Sequence, residues 1–124
     1  MRPTVRLLLL LQAAVFIAAA LTHFGVLVGG YMHLKAGIAE SVIGTVLLAG
    51  LVFTTLWPAS TYAAAIAAQS FALLGTAVGL FTIAIDIGPR TALDLVFHVG
   101  IGIALVSGLV ATIKAAREHT RAAI

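Results

Sequence analysis

AVGLFTIAIDIGPRTALDLVFHVGIGIAL, residues 77–105, is two long apolar runs with a polar break between them. The break is IGPRT (87–91). Its proline disfavours helix at the residue before it. The chain restarts at once: Thr91 followed three residues later by Asp94 has the form of a capping box, a helix-start signal. Helix, sharp stop and new helix, all apolar, is the pattern of two spans joined by a tight connection.

The same reading extends to the rest of the chain. A spanning helix needs about 20 mostly apolar residues. Four stretches qualify, at about 5–31, 38–57, 62–87 and 91–115. WPAS (57–60) breaks the chain after the second. The opening MRPTVRLLLLLQAAVFIAAA has the basic start and apolar run of a secretory signal peptide. Its apolar character continues to Gly30, too far for such a segment, so it reads as the first span. Residues 1–124 are therefore expected to form one integral membrane domain. The fold class is all-α: a four-helix transmembrane bundle, up-down-up-down because each connection is short.

Composition agrees. Of 124 residues, 62% are hydrophobic and 9% charged, against about 25% charged in an ordinary soluble domain. Mean hydropathy is +1.19. In water such a surface would associate; in lipid it is matched to its solvent. With no cysteine, disulfides, thiolate metal sites and cysteine nucleophiles are excluded. A pI near 10.0 reflects few charges rather than a basic stripe, so no nucleic-acid partner is expected. Arg2, Arg6, Lys114, Arg117 and Arg121 lie at the chain ends, and four spans put both ends on one side. The opposite side has Lys35 and Arg90. Positive residues concentrate on the cytoplasmic side, which predicts cytoplasmic termini and a multi-pass protein of a cytoplasmic membrane. Trp57 and Tyr62 flank the inner connection and read as interfacial anchors.

Polar residues fall in two layers. The outer layer holds Glu40, Asp86, Arg90, Asp94 and two imidazoles. His23 and His98 are each placed about seven residues below the outer end of their spans, roughly 10 Å deep at 1.5 Å per residue. The run Asp86, Arg90, Asp94, His98 has a four-residue spacing, which stacks residues on one helix face. On this reading Arg90 keeps Asp94 ionised and Asp94 orients the His98 ring. His23, Asp94 and His98 are expected to point into the bundle, towards one another. The inner layer holds Gln12 and Gln69, read as interhelical hydrogen bonds, with Thr54, Thr55 and Thr112. Gly25 with Gly29, and Gly75 with Gly79, form G-x-x-x-G pairs suited to close helix approach.

Each candidate has a sharper and a plainer reading. Facing imidazoles suit haem b ligation or, with Asp94, a metal site; the plainer reading is hydrogen bonding within a bundle. Glu40, Asp86 and Asp94 suit a proton or cation site, since ionisable groups within spans are costly. The plainer reading is first-turn placement for Glu40 and Asp94, and pairing with Arg90 for Asp86. His33, Glu118 and His119 read as interfacial or tail residues. No hydrolase or nucleotide motif is present, and the connections are too short for a soluble catalytic domain, so the chain leans away from an enzyme.

The stretches AESVIGTVLLAG (39–50), FALLGTAVGLFTIAIDIGPRT (71–91) and FHVGIGIAL (97–105) resemble a group of small, uncharacterised four-span bacterial membrane proteins, over most of residues 21–110. The resemblance implies a bacterial cytoplasmic membrane and a four-helix bundle, and no activity. Three functions are weighed. The favoured one binds a small ligand at an outer-leaflet polar site through His23, Glu40, Asp86, Arg90, Asp94 and His98, or supports a larger membrane assembly. The second is a b-type haem electron-transfer subunit using His23 and His98. The third is a small oligomeric transporter or channel.

Overall fold

The computed structural model describes residues 1–124. The chain folds into four helices: α1 (Arg2–His23), α2 (Leu34–Leu56), α3 (Thr61–Ala84) and α4 (Ala92–Ala122). A short 3-10 turn, Pro58–Ser60, joins α2 to α3. There are no strands, and all four helices are long and apolar enough to cross a membrane. Helices adjacent in sequence pack side by side in alternating directions, as the short connections require. Arg2 reaches His119 across the base, Nη2 to Nε2 at 3.4 Å, so both chain ends lie at one end of the bundle.

The core runs down the middle as Val5, Leu9, Ala13 and Phe16 of α1, Ile43 and Leu47 of α2, Ala65, Ala68 and Ala72 of α3, and Ile101 and Leu105 of α4. Phe16 meets Phe97 edge to face, with ring centroids 6.1 Å apart. Only about a third of each span faces inward. Leu10, Leu74, Val96 and Ile103 point outward and exposed, which lipid accommodates without cost. Since lipid tails are as apolar as the core, close packing and interhelical hydrogen bonds must hold the helices together. The glycines make that packing possible. A Cβ on Gly75 would sit 2.6 Å from Ile43 Cδ1, and one on Gly50 would sit 2.8 Å from Ala68 Cβ.

The structure departs from the expected spans in one place that matters. α1 stops at His23 rather than continuing to residue 31. The segment 24–33 is an irregular connection with Gly25 at φ +74° and Gly30 at φ +81°, left-handed values that glycine adopts without strain. Gly25 and Gly29 are therefore part of a turn and not a helix-packing face. The His33 amide donates to the His23 carbonyl at 2.8 Å, pinning the two ends of the segment together. His33 then caps α2, its Nδ1 accepting from the Ala36 amide at 3.3 Å. α2 consequently starts four residues earlier than expected, which draws Glu40 nearly two turns inside the helix. α4 also runs further than expected, to Ala122, carrying Lys114, Arg117 and Arg121 on its last turns.

Candidate functional site

The end of the bundle opposite the termini gathers the ionisable residues. His23 is the last residue of α1, Glu40 lies in α2, and Asp94 and His98 lie in α4; all four are buried. His23 is the hub. Its Nδ1 lies 2.7 Å from Glu40 Oε2, and its Nε2 lies 3.2 Å from Asp94 Oδ1. One imidazole thus ties three helices together through two carboxylates. Each contact is a hydrogen bond when the ring carries both N–H protons, or when one carboxyl holds a proton facing an unprotonated ring nitrogen.

Asp94 owes its position to the capping box read in the sequence. The Thr91 hydroxyl accepts from the Asp94 amide at 3.1 Å. Asp94 Oδ2 accepts from the Thr91 amide at 2.9 Å and from the Thr91 hydroxyl at 2.6 Å. These bonds saturate Oδ2 and aim Oδ1 at His23. The Tyr31 hydroxyl extends the group outward by a hydrogen bond with Thr91 Oγ1.

Two expected contacts are not formed. Asp94 does not orient His98 with its side chain; His98 Nδ1 instead donates to the Asp94 backbone carbonyl at 2.7 Å. Arg90 does not pair with Asp94. It binds Asp86, Nη1 to Oδ1 at 2.8 Å, with both side chains more than half exposed. The four-residue ladder therefore splits. Asp86 and Arg90 precede α4, with Asp86 at φ +67°, and only Asp94 and His98 share a helix face. The two imidazoles lie within about one turn of each other along α4, since His23 meets Asp94, one turn nearer the start of that helix than His98. Glu40, read from sequence as a first-turn acid, is instead 4% exposed and bonded to His23. Hydropathy carries no signal for that pairing, which depends on where α1 ends.

A cavity of about 180 Å³ lies beside this cluster, between α2, α3 and α4. Glu40, Thr76 and His98 are its buried polar residues, Phe16, Ile43 and Phe97 are among its apolar ones, and His33 and Lys35 also line it. A Cβ on Gly79 would approach His98 Nε2 to 2.7 Å, so the missing side chain makes room for the ring. With Nδ1 donating, neutral His98 has Nε2 as an acceptor. Glu40 Oε1 is buried and has no partner. A void of this size compares with the ~150 Å³ cavity that takes up one benzene and is below the ~300–1,000 Å³ of drug-sized sites.

The residues suit neither haem nor a chelated metal. Both ring nitrogens of His23 are engaged by carboxylates, and no three His, Asp or Glu side chains are arranged to hold an ion. His23, Asp94 and His98 thus do not converge as a metal set.

The second polar layer lies nearer the termini. Gln12 donates to the Ala104 carbonyl at 3.4 Å, and Gln69 to Thr112 Oγ1 at 3.1 Å. Both are interhelical, onto α4. Gly108 lets them in: a Cβ there would meet Gln12 Nε2 at 2.5 Å. At the base, Arg6 Nη2 donates to the Thr54 carbonyl at 2.5 Å, satisfying an end carbonyl of α2. Trp57 stacks on Phe53 with centroids 4.6 Å apart.

These features define an all-helical bundle of four membrane-capable spans with a buried His–carboxylate cluster at one end. No protein-family model, curated protein or solved structure matches the chain.

Proposed function

We propose that this chain is a multi-pass protein of a bacterial cytoplasmic membrane that binds a small molecule in the cavity beside Glu40 and His98, on the outer side. One observation carries the reading: of the buried side-chain oxygens without a partner, those of Gln12, Glu40 and Gln69, only that of Glu40 belongs to a residue lining this cavity. Leaving such an atom unpaired costs about 1–3 kcal/mol or more, a cost that a bound donor removes. Cytoplasmic termini follow from the basic residues at the chain ends. Ligand binding is favoured over conduction through a single bundle because Ala13, Leu47 and Leu105 fill its centre, each at 0% exposure. Binding is favoured over haem ligation because His23 would have to give up a carboxylate to take iron.

The test is a fragment screen by thermal unfolding in detergent, run on wild type and Gly79→Ala. Small apolar molecules bearing an O–H or N–H are expected to stabilise wild type. The variant, with His98 pushed into the void, is expected to lose that response. Equal stabilisation of both proteins sinks the proposal. A Soret band in the purified protein would restore the haem reading. Activity of a periplasm-only reporter fused after Ile124 would move the site to the cytoplasmic side.

A further inference from the structure

The hydrogen bonds at this end of the bundle form one unbroken line. It starts at the half-exposed Tyr31 hydroxyl and passes to Thr91 Oγ1. Thr91 meets Asp94 Oδ2 at 2.6 Å. The other Asp94 oxygen meets His23 Nε2 at 3.2 Å, and His23 Nδ1 meets Glu40 Oε2 at 2.7 Å. The line ends at Glu40, whose second oxygen is unpaired and whose side chain lines the cavity. Asp94, His23 and Glu40 each enter the line through one atom and leave through another. A cluster needed only to tie helices together requires no unbroken line from a cavity to a surface hydroxyl, and the Gln12 and Gln69 amides form none.

We propose that Glu40, His23, Asp94, Thr91 and Tyr31 form a proton relay between the cavity and the bundle's end surface. The cavity molecule is then one with an exchangeable O–H or N–H proton. This rests on the cavity being a ligand site, but the relay itself can be measured without a ligand. The steps balance. The resting cluster has the Glu40 proton on Oε2, a neutral His23 with its proton on Nε2, and ionised Asp94. The cavity molecule gives its proton to Glu40 Oε1 and becomes its conjugate base. The Oε2 proton moves to His23 Nδ1, and the Nε2 proton moves to Asp94. The Asp94 carboxyl then rotates to bring the proton from Oδ1 to the Thr91 side; the Thr91 and Tyr31 hydroxyls, which donate inward at rest, turn outward, and each accepts a proton and passes on its own, the last to water. One proton enters, one leaves, and the cluster keeps its charge; the reverse passage restores the original tautomer.

The surroundings leave the line to these groups. Around His23 are Tyr31 and His33 from the connecting segment, with ring centroids at 6.1 and 6.4 Å. Glu40 comes from α2, and Asp94, with His98 one turn deeper, from α4. The polar side chains that α3 contributes to the cavity wall are those of Thr76 and Thr82, neither of them ionisable. Lys35, which also lines the cavity, is exposed.

The experiment is solvent exchange of the His23 ring protons, followed by ¹⁵N NMR of histidine-labelled protein in lipid nanodiscs. The resonances are assigned with His33→Gln, His98→Gln and His119→Gln, and the backbone amide of His98, buried within α4, serves as the internal control. The relay predicts ring exchange far faster than that buried amide. It predicts that Tyr31→Phe, which keeps the ring and removes the hydroxyl, slows ring exchange by about tenfold, equivalent to ~1.4 kcal/mol on the barrier. Thermal unfolding of Tyr31→Phe should match wild type. A protonated-carboxyl infrared band should also be present in wild type and missing in Glu40→Gln. Ring exchange as slow as the amide overturns the relay. So does fast exchange indifferent to Tyr31→Phe, which would mean general opening of that end. Neither result touches the fragment screen, so failure of the relay and failure of the ligand site are told apart.

Discussion

The bundle has two polar layers built in opposite ways. The layer at Gln12, Gln69 and Thr112 is made of neutral amides and a hydroxyl, inserted where Gly108 leaves space and bonded to α4. The layer at His23, Glu40 and Asp94 is made of ionisable groups bonded to one another, with a cavity alongside. Neutral side-chain bonds between membrane helices are worth little, averaging about 0.6 kcal/mol where measured. Removing one member of a buried set of mutually bonded ionisable groups costs far more, because its partners stay behind unpaired. The amide layer is thus a fastening that tolerates loss, and the His–carboxylate layer is interdependent. A protein that needed only fastening at the second place would be safer with apolar residues. The presence of ionisable groups there is the physical argument for function.

Five substitutions sharpen or break that contrast, in falling order of effect. His23→Leu should be the most damaging, at about 3–5 kcal/mol, since it strands Glu40 and leaves Asp94 Oδ1 unbonded in the interior. The triple change His23→Leu, Glu40→Leu, Asp94→Leu should recover much of that loss, apart from the cap that Asp94 provides. If His23→Leu unfolds like wild type in a detergent denaturation series, the layer is not interdependent and the comparison collapses.

Gly108→Val comes next, at about 1–3 kcal/mol, the usual range for overpacking, because the new methyls meet the Gln12 amide. Combining it with Gln12→Ala should return part of the stability; strict additivity of the two would mean that Gly108 and Gln12 do not in fact share that space.

Gln69→Leu follows at about 0.6 kcal/mol, and at most ~1.7 kcal/mol. His98→Leu belongs at the same level, because the Asp94 carbonyl that the ring binds is also a helix acceptor. A loss above that ceiling for Gln69→Leu would show that the amide layer does more than fasten.

Asp86→Asn should be the mildest. Its pair with Arg90 is exposed and screened, and such pairs contribute about 0–1 kcal/mol. A larger drop in melting temperature would mean that the 84–91 turn depends on this pair, and would return Arg90 to the list of structural residues.

The number of helices, their approximate extents, the Thr91–Asp94 cap and the common side of the chain ends were all legible in the sequence. Each depends on information local to a few residues or summed along a span: apolar length, a proline, a capping pair, an even number of crossings. The residues of the buried cluster were legible as candidates for a similar reason, since an ionisable side chain within a span is conspicuous on composition alone. Their partners were not. His23 meets Glu40 seventeen residues away and Asp94 seventy-one away, and both contacts depend on how each helix is rotated and how deep it sits. In a soluble helix an apolar stripe reveals that rotation. Here both faces of every span are apolar, so the stripe is absent and rotation is settled by packing at Gly75, Gly79 and Gly108. Depth was settled by the early end of α1 before Gly25, a choice of backbone conformation that the continuous apolar run to Gly30 concealed. The tertiary structure alone decided that the four-residue ladder would divide, with Asp86 and Arg90 in water and Asp94 turned inward to the imidazole of another helix.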